Sequence, residues 1–130
     1  MQDDQDILQL HAGDESEISL IRAVGDIDLS TTPQLRQAVE GVIAQLPADG
    51  ALRYIILDIR EVPFIDSAGL ALLVEIRKRF HSTCRLAVLI AAATQPERVL
   101  RLGRFDTFLI IGYSREELHG LGVGVNPDPV

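Results

Sequence analysis

The chain has 130 residues, 47% of them hydrophobic, and a formal charge of −7; this is the size of one domain with room for a proper core and too apolar for the disordered class. The acidic balance argues against nucleic acid as a direct partner, since that needs a basic face, and favours a protein partner of basic character. No run approaches the roughly 18 apolar residues that suggest a membrane span, and the acidic opening Gln2-Asp3-Asp4-Gln5-Asp6 is not a signal peptide. The single cysteine, Cys84, excludes an internal disulfide framework and reads as a small buried hydrophobe. A cytoplasmic protein without membrane insertion is expected.

In chain order, residues 1–6 are expected to fray, and Ile7-Leu8-Gln9-Leu10 is placed to pair as a hairpin with a strand carrying Ile18, Leu20 and Ala23-Val24 and ending at Gly25. Thr31-Thr32-Pro33-Gln34 carries helix-start signals: a hydroxyl cap, Pro at the first helical position, and Gln three residues after Thr31. Leu35, Val39, Val42, Ile43 and Leu46 follow at helical spacing, and Pro47, Asp49 and Gly50 end that helix. Tyr54 to Ile59 is a nearly continuous apolar run, the pattern of a strand buried on both faces of a partly parallel sheet. Beyond it Leu70, Leu73, Val74, Arg77 and Phe80 share a helix face; Arg77, Lys78 and Arg79 near its end complement the helix dipole or meet a partner.

Arg85 to Ile90 reads as the next strand, and Thr94-Gln95-Pro96-Glu97 as a capping box opening a helix through Leu102 that Gly103 ends. Arg98, Arg101 and Arg104 repeat at a spacing of three and form a solvated face or a charged docking edge. Phe108 to Ile111 is a last strand, and Ser114-Arg115-Glu116-Glu117 a further capping box. Gly120-Leu121-Gly122-Val123-Gly124 stops that helix and, with Asn126-Pro127-Asp128-Pro129, makes residues 121–130 a flexible tail. The alternation predicts an α/β fold: a single compact domain with a mixed, mainly parallel β-sheet flanked by α-helices.

If the strands ending at Val24 and beginning at Tyr54 are parallel, with the helix from Pro33 to Leu46 between them, their carboxyl ends share one edge of the sheet. The loops 25–30 and 64–69 leave those ends, where open α/β sheets place their ligands. Asp26, Asp28, Ser30, Asp66 and Ser67 then contribute to one surface. Asp26 and Asp28 serve equally as turn formers. Ser67 begins a helical apolar pattern, so its hydroxyl is either the helix cap or, with Asp66 capping instead, a presented group. Gly69 carries a helix penalty of roughly 1 kcal/mol and permits close approach by a partner backbone. Leu70 is core or rim; Asp58 ends its strand and accepts from loop amides, with metal binding the lesser alternative.

Catalysis finds no support. A serine hydrolase needs a base beside Ser67, but His81 lies fourteen residues along the same helix, roughly 21 Å away at 1.5 Å per residue. His11 and His119 are isolated, residue 65 is Ile where the Gly-x-Ser-x-Gly elbow needs Gly, and no phosphate-binding loop or dinucleotide fingerprint occurs.

The segment Asp66-Ser67-Ala68-Gly69, after a strand ending in Leu57-Asp58-Ile59, resembles the central motif of STAS domains and specifically of anti-sigma factor antagonists. The likeness extends over residues 7–120, with Gly25-Asp26-Ile27-Asp28 and the closing strand-helix units in the family's order. It implies that Ser67 is the phosphorylated serine, with no catalytic residue, metal or cofactor of the chain's own. It also implies that Asp26, Asp28, Ser30, Asp66, Ser67, Gly69 and Leu70 form a surface docking an anti-sigma factor, a serine kinase that itself binds ATP. The unphosphorylated protein would bind that kinase and release a sigma factor; phosphorylation would end binding, and a serine phosphatase would restore it. The alternatives are a STAS adaptor or structural subunit of a larger assembly (a stress-signalling scaffold or a lipid-transport ABC complex) and direct nucleotide binding by the domain. The chain departs from the family where Arg60-Glu61 occupies a loop that is often small or polar, and where Ala68 replaces a second serine.

Overall fold

The most apolar run of the chain lies in the middle of the sheet. In the computed structural model, which describes residues 9–15 and 17–124, β3 (Arg53–Glu61) lies between β2 (Ile18–Val24) and β4 (Cys84–Leu89), parallel to both. At the edges β1 (Gln9–Glu15) pairs antiparallel with β2, and β5 (Ile110–Gly112) parallel with β4. The strand order is therefore β1-β2-β3-β4-β5. A central strand covered on both faces must be apolar on both: Ile55, Leu57 and Ile59 join one buried cluster, Tyr54 and Ile56 the other.

Three helices cover the first face. α1 (Thr32–Ala44) places Leu35 and Val39 there, α2 (Ser67–Phe80) Leu72, Leu73 and Ile76, and α3 (Gln95–Leu102) Leu100. α4 (Arg115–Gly120) covers part of the second face through Leu118. The α/β class, the mainly parallel sheet and the single domain expected from the alternation are what is found.

Several boundaries differ from expectation. β1 continues to Glu15, so the hairpin is tighter than the segment around Leu10 suggested; Ile7 and Leu8, like residues 1–6 and 125–130, lie outside the described residues. The buried face of α2 runs through Gly69, Leu72, Leu73 and Ile76, with Leu70 and Phe80 half-buried beside it; Leu72 and Ile76 were hidden in a segment apolar on nearly all sides. The segment 121–124 is packed, because Val123 folds back with its N–H on the Leu118 carbonyl (3.0 Å) and its side chain in the second core.

Two of the basic residues near the end of α2, Arg77 and Arg79, serve the fold. Arg79 donates to Glu40 of α1 (2.8 Å) and to Glu75 (3.3 Å), while Arg36 forks onto Glu75 (3.1 and 3.0 Å). Arg77 donates to the Phe108 carbonyl (2.9 Å). On α3, Arg101 lies 5.3 Å from the centre of the Tyr113 ring. Cys84 is buried, which pushes its thiol up to about 11, as suits an inert core residue.

Arg60 and Glu61 are the end of β3 rather than a loop. Arg60 clamps the buried Asp58 with its Nε (3.0 Å), Nη2 (2.9 Å) and own N–H (3.1 Å). Burial opposes the charge on Asp58, but the hydrogen bonds from Arg60 prevail and hold its carboxyl below the ordinary 3.8. A carboxyl lowered by folding stabilises the native state above its unfolded pKa, and that contribution is lost as pH falls through the folded value. Urea unfolding between pH 6 and pH 2 should therefore show an acid-side loss of stability that is smaller in Asp58→Asn; an unchanged pH profile would remove Asp58 from the account.

Candidate functional site

The site is built on a short segment of backbone held from both sides. Because β2 and β3 are parallel, their carboxyl ends share an edge, and Gly25, at φ 113°, turns the chain out of β2 there, a conformation glycine adopts at little cost. Ile27 and Ile65 then form one isolated parallel bridge. The Ile27 N–H donates to the Phe64 carbonyl (2.9 Å), and the Asp66 N–H to the Ile27 carbonyl (3.1 Å). On the opposite flank the Gln95 side chain takes the place of a neighbouring strand. Its Oε1 accepts from the Ile65 N–H and its Nε2 donates to the Ile65 carbonyl, both at 2.9 Å. Buried backbone needs such partners, and Ile27 and Ile65 anchor the arrangement with fully buried side chains.

Asp66 ties the two loops. One carboxylate oxygen caps α2 by accepting from the Gly69 N–H (2.9 Å), and the other accepts from the Leu29 N–H (3.1 Å). The helix cap is thus Asp66. Ser67 occupies the first helical position, exposed, and no side-chain hydrogen bond engages it among the described residues.

The β2–α1 loop is organised by Asp28. Its Oδ1 accepts from the Ser30 hydroxyl (2.7 Å), the Ser30 N–H (3.0 Å) and the Thr31 N–H (3.2 Å), led by the Ser30 hydroxyl in keeping the carboxyl below its usual range. The expected Thr31 capping box does not form. Thr31 is buried, and its hydroxyl turns inward to accept from the Asp28 N–H and donate to the Asp26 carbonyl, each at 2.9 Å. At Thr94 and Ser114 the hydroxyl half of the expected box forms, each hydroxyl accepting from the N–H three residues on, while Glu97 and Glu117 accept from the N–H of the residue before the cap, Ala93 and Tyr113.

Of the residues anticipated at this surface, Asp26, Asp28, Ser30, Asp66 and Ser67 are gathered at one end of the sheet by the Ile27–Ile65 bridge and the Asp66 clasp. Leu70 is half-buried against the core. Gly69 has a packing role within the domain. It is buried, and a Cβ built on it would lie 2.6 Å from Ile65 Cγ1 and 2.9 Å from Ile27 Cγ2, so its missing side chain is demanded by the interior. Asp58 has its carboxylate filled by Arg60, which leaves no reason to assign it a metal.

The residues 11–118 match the family model of the STAS domain. The chain belongs to the STAS family. Its sequence is 22% identical over 119 residues to the anti-sigma-F factor antagonist RsfB of Mycobacterium tuberculosis, covering 92% of this chain and 93% of RsfB. The crystal structure of an anti-sigma factor antagonist from Mycobacterium paratuberculosis superposes with a TM-score of 0.74 at 22% identity, over 89% of this chain and 94% of that one. SpoIIAA in its unphosphorylated form gives 0.59 at 23% identity (89% and 99% covered), and the phosphorylated form of Bacillus SpoIIAA gives 0.56 at 21% (88% and 97%). At these identities the structural likeness establishes the fold of this STAS domain. Among the described residues no helix is long and apolar enough to cross a membrane.

Three residues of the site escaped the reading of the sequence. Gln95 was seen only as part of a capping box, since nothing local says that its amide crosses to Ile65, thirty positions away. Leu29 and Phe64 are apolar side chains left exposed in the two loops; an apolar residue in a turn otherwise built of Asp, Ser and Thr was the available signal. Two measurements test the construction. Gly69→Ala should lower stability by about 1 to 3 kcal/mol from overpacking, opposite in sign to the roughly 1 kcal/mol gain expected in an open helix; a raised urea midpoint would show that the interior has room. In Gln95→Ala, which strands two buried groups at a cost of about 1 to 3 kcal/mol, amide exchange at Ile65 should accelerate well before global unfolding; unchanged protection at Ile65 would refute the Gln95 brace.

Proposed function

We propose that this STAS domain is a phosphorylation-controlled anti-sigma factor antagonist. The observation that carries the reading is the state of Ser67: an exposed hydroxyl at the first position of α2, relieved of capping by Asp66. A serine needed as a cap would be a poor switch, because modifying it would undo the helix start. Ser67 is free of that duty. The family resemblance to RsfB, SpoIIAA and the mycobacterial antagonist supports the same reading, as does a phosphorylated form in Bacillus SpoIIAA.

In this reading the unphosphorylated protein docks against a kinase-type anti-sigma factor through Asp26, Asp28, Ser30, Asp66, Ser67 and Leu70. The kinase supplies ATP and the phosphoryl group, and the antagonist contributes the acceptor oxygen and the scaffold that presents it. Phosphate adds about 1.5 to 2 negative charges. The first-turn N–H groups and the helix dipole stabilise it, while Asp66 one residue away opposes it. The loop backbone is held by Gln95 and Ile27, so the modification alters charge and shape at the docking surface without refolding the domain. A coupling of about 1 to 3 kcal/mol, or 5- to 150-fold in affinity, suffices for a switch. A serine phosphatase returns the protein to its binding form, and the protein itself is a cytoplasmic regulator without catalytic activity.

Incubation with candidate kinase-type anti-sigma factors and ATP, followed by mass-spectrometric site mapping, should place one phosphate on Ser67. Ser67→Ala should abolish incorporation and leave binding largely intact, whereas Ser67→Asp should weaken binding about 5- to 150-fold. Labelling of the Ala variant to the same stoichiometry would overturn the site. Capture of an ABC ATPase or a large STAS scaffold from cytoplasm, with no kinase, would favour the adaptor role instead.

A further inference from the structure

Leu29 is 75% exposed and Phe64 43% exposed, and neither side chain belongs to either buried cluster. Exposure alone means little: Leu102 is 79% exposed and Leu121 56%. What sets Leu29 and Phe64 apart is their placement and their rigidity. They sit on the two loops that the Ile27–Ile65 bridge joins, Leu29 with its N–H on Asp66 and Phe64 three residues before Ser67. The Leu29 N–H is held by Asp66 and the Phe64 carbonyl by the Ile27 N–H, so both side chains project from backbone whose position is already fixed. The turn 28–31 gains nothing from a leucine at its second position, where polar residues serve better. Their apolar surface is left for something outside the chain, at little ordering cost on binding.

The charge around them identifies the partner's character. Between Arg22 and Arg36 the chain carries Asp26 and Asp28 and no Lys or Arg; between Arg60 and Arg77 it carries Glu61, Asp66 and Glu75 and again none. The bordering cations are occupied: Arg22 by Glu61, Arg36 by Glu75 and Arg60 by Asp58. Two apolar projections thus stand on loops that carry acidic residues and no Lys or Arg.

We propose that Leu29 and Phe64 are the apolar anchors of the surface around Ser67, and that its protein partner offers apolar sockets for them within a rim of Lys and Arg. This rests on the reading that a kinase-type anti-sigma factor docks there, and it adds where the affinity resides. Interfaces concentrate affinity in a few well-packed apolar and aromatic side chains at their centre, while rim charges govern encounter rate and partner choice. Leu29 and Phe64 supply the first, and Asp26, Asp28 and Asp66 the second.

The test is calorimetry or surface plasmon resonance with the kinase-type anti-sigma factor that phosphorylates Ser67. Leu29→Ser and Phe64→Ser should each lower affinity on the order of 10- to 100-fold, chiefly through faster dissociation, with the urea midpoint unchanged in Leu29→Ser because Leu29 is 75% exposed. Leu29→Met, which keeps the apolar bulk, should bind as the unaltered protein does, as should Leu102→Ser on α3. Raising salt should slow association and leave the loss in Leu29→Ser intact. If the unaltered protein binds and both Ser variants bind equally well, the anchor assignment falls and the switch reading stands. If the unaltered protein fails to bind any such kinase, the switch reading falls and the anchors with it.

Discussion

The geometry of this domain's distinctive surface depends on the hydrogen-bonding demand of three residues of backbone, 64–66. The segment leaves β3 beyond the reach of regular ladder partners, yet its central side chain, Ile65, is fully buried. Its amides and carbonyls must then find partners beside it. Ile27 supplies one flank and Gln95 the other. The single parallel bridge at Ile27 extends the pairing of β2 with β3 past the sheet's end, and so carries the rigidity of the core out to Ser67.

Asp66 joins this frame to the helix. Its two carboxylate oxygens are committed separately, one to the first turn of α2 and one to the β2–α1 loop. Gly69 completes the arrangement by letting α2 close against Ile27 and Ile65. The consequence for function is a division of labour. Asp66, Gln95 and Gly69 hold the surface together, and the side chains of Ser67, Leu29 and Phe64 are left outside that frame. In the proposed switch these three side chains meet the partner together with Asp28 and Asp66, whose carboxylates the fold also uses.

Asp28 shows how a residue expected at a docking surface can have a structural occupation as well. Its carboxylate gathers Ser30 and Thr31 into the turn that starts α1, and the same hydrogen bonds keep it ionised. A negative charge is therefore a permanent feature of this edge, bound to loop geometry. By contrast Arg36, Arg79 and Arg60 are paired, with Glu75, Glu40 and Asp58.

Much of this was legible in the residues. The apolar run 54–59 dictates a doubly buried strand, the Ser/Thr-x-x-Glu boxes open α3 and α4, and the order of strands and helices dictates a parallel sheet whose loops meet at one edge. Those signals are local or periodic, and they survive without coordinates. The choice between Ser67 and Asp66 as cap was not legible, since either satisfies the local rule; the Leu29 N–H, thirty-seven residues from Asp66, settles it by occupying the second carboxylate oxygen. Gly69 as a packing requirement, Thr31 turned inward and Gln95 braced against Ile65 are equally beyond the linear pattern. Each depends on which distant atom fills the space beside it, and that is decided only when the chain closes on itself.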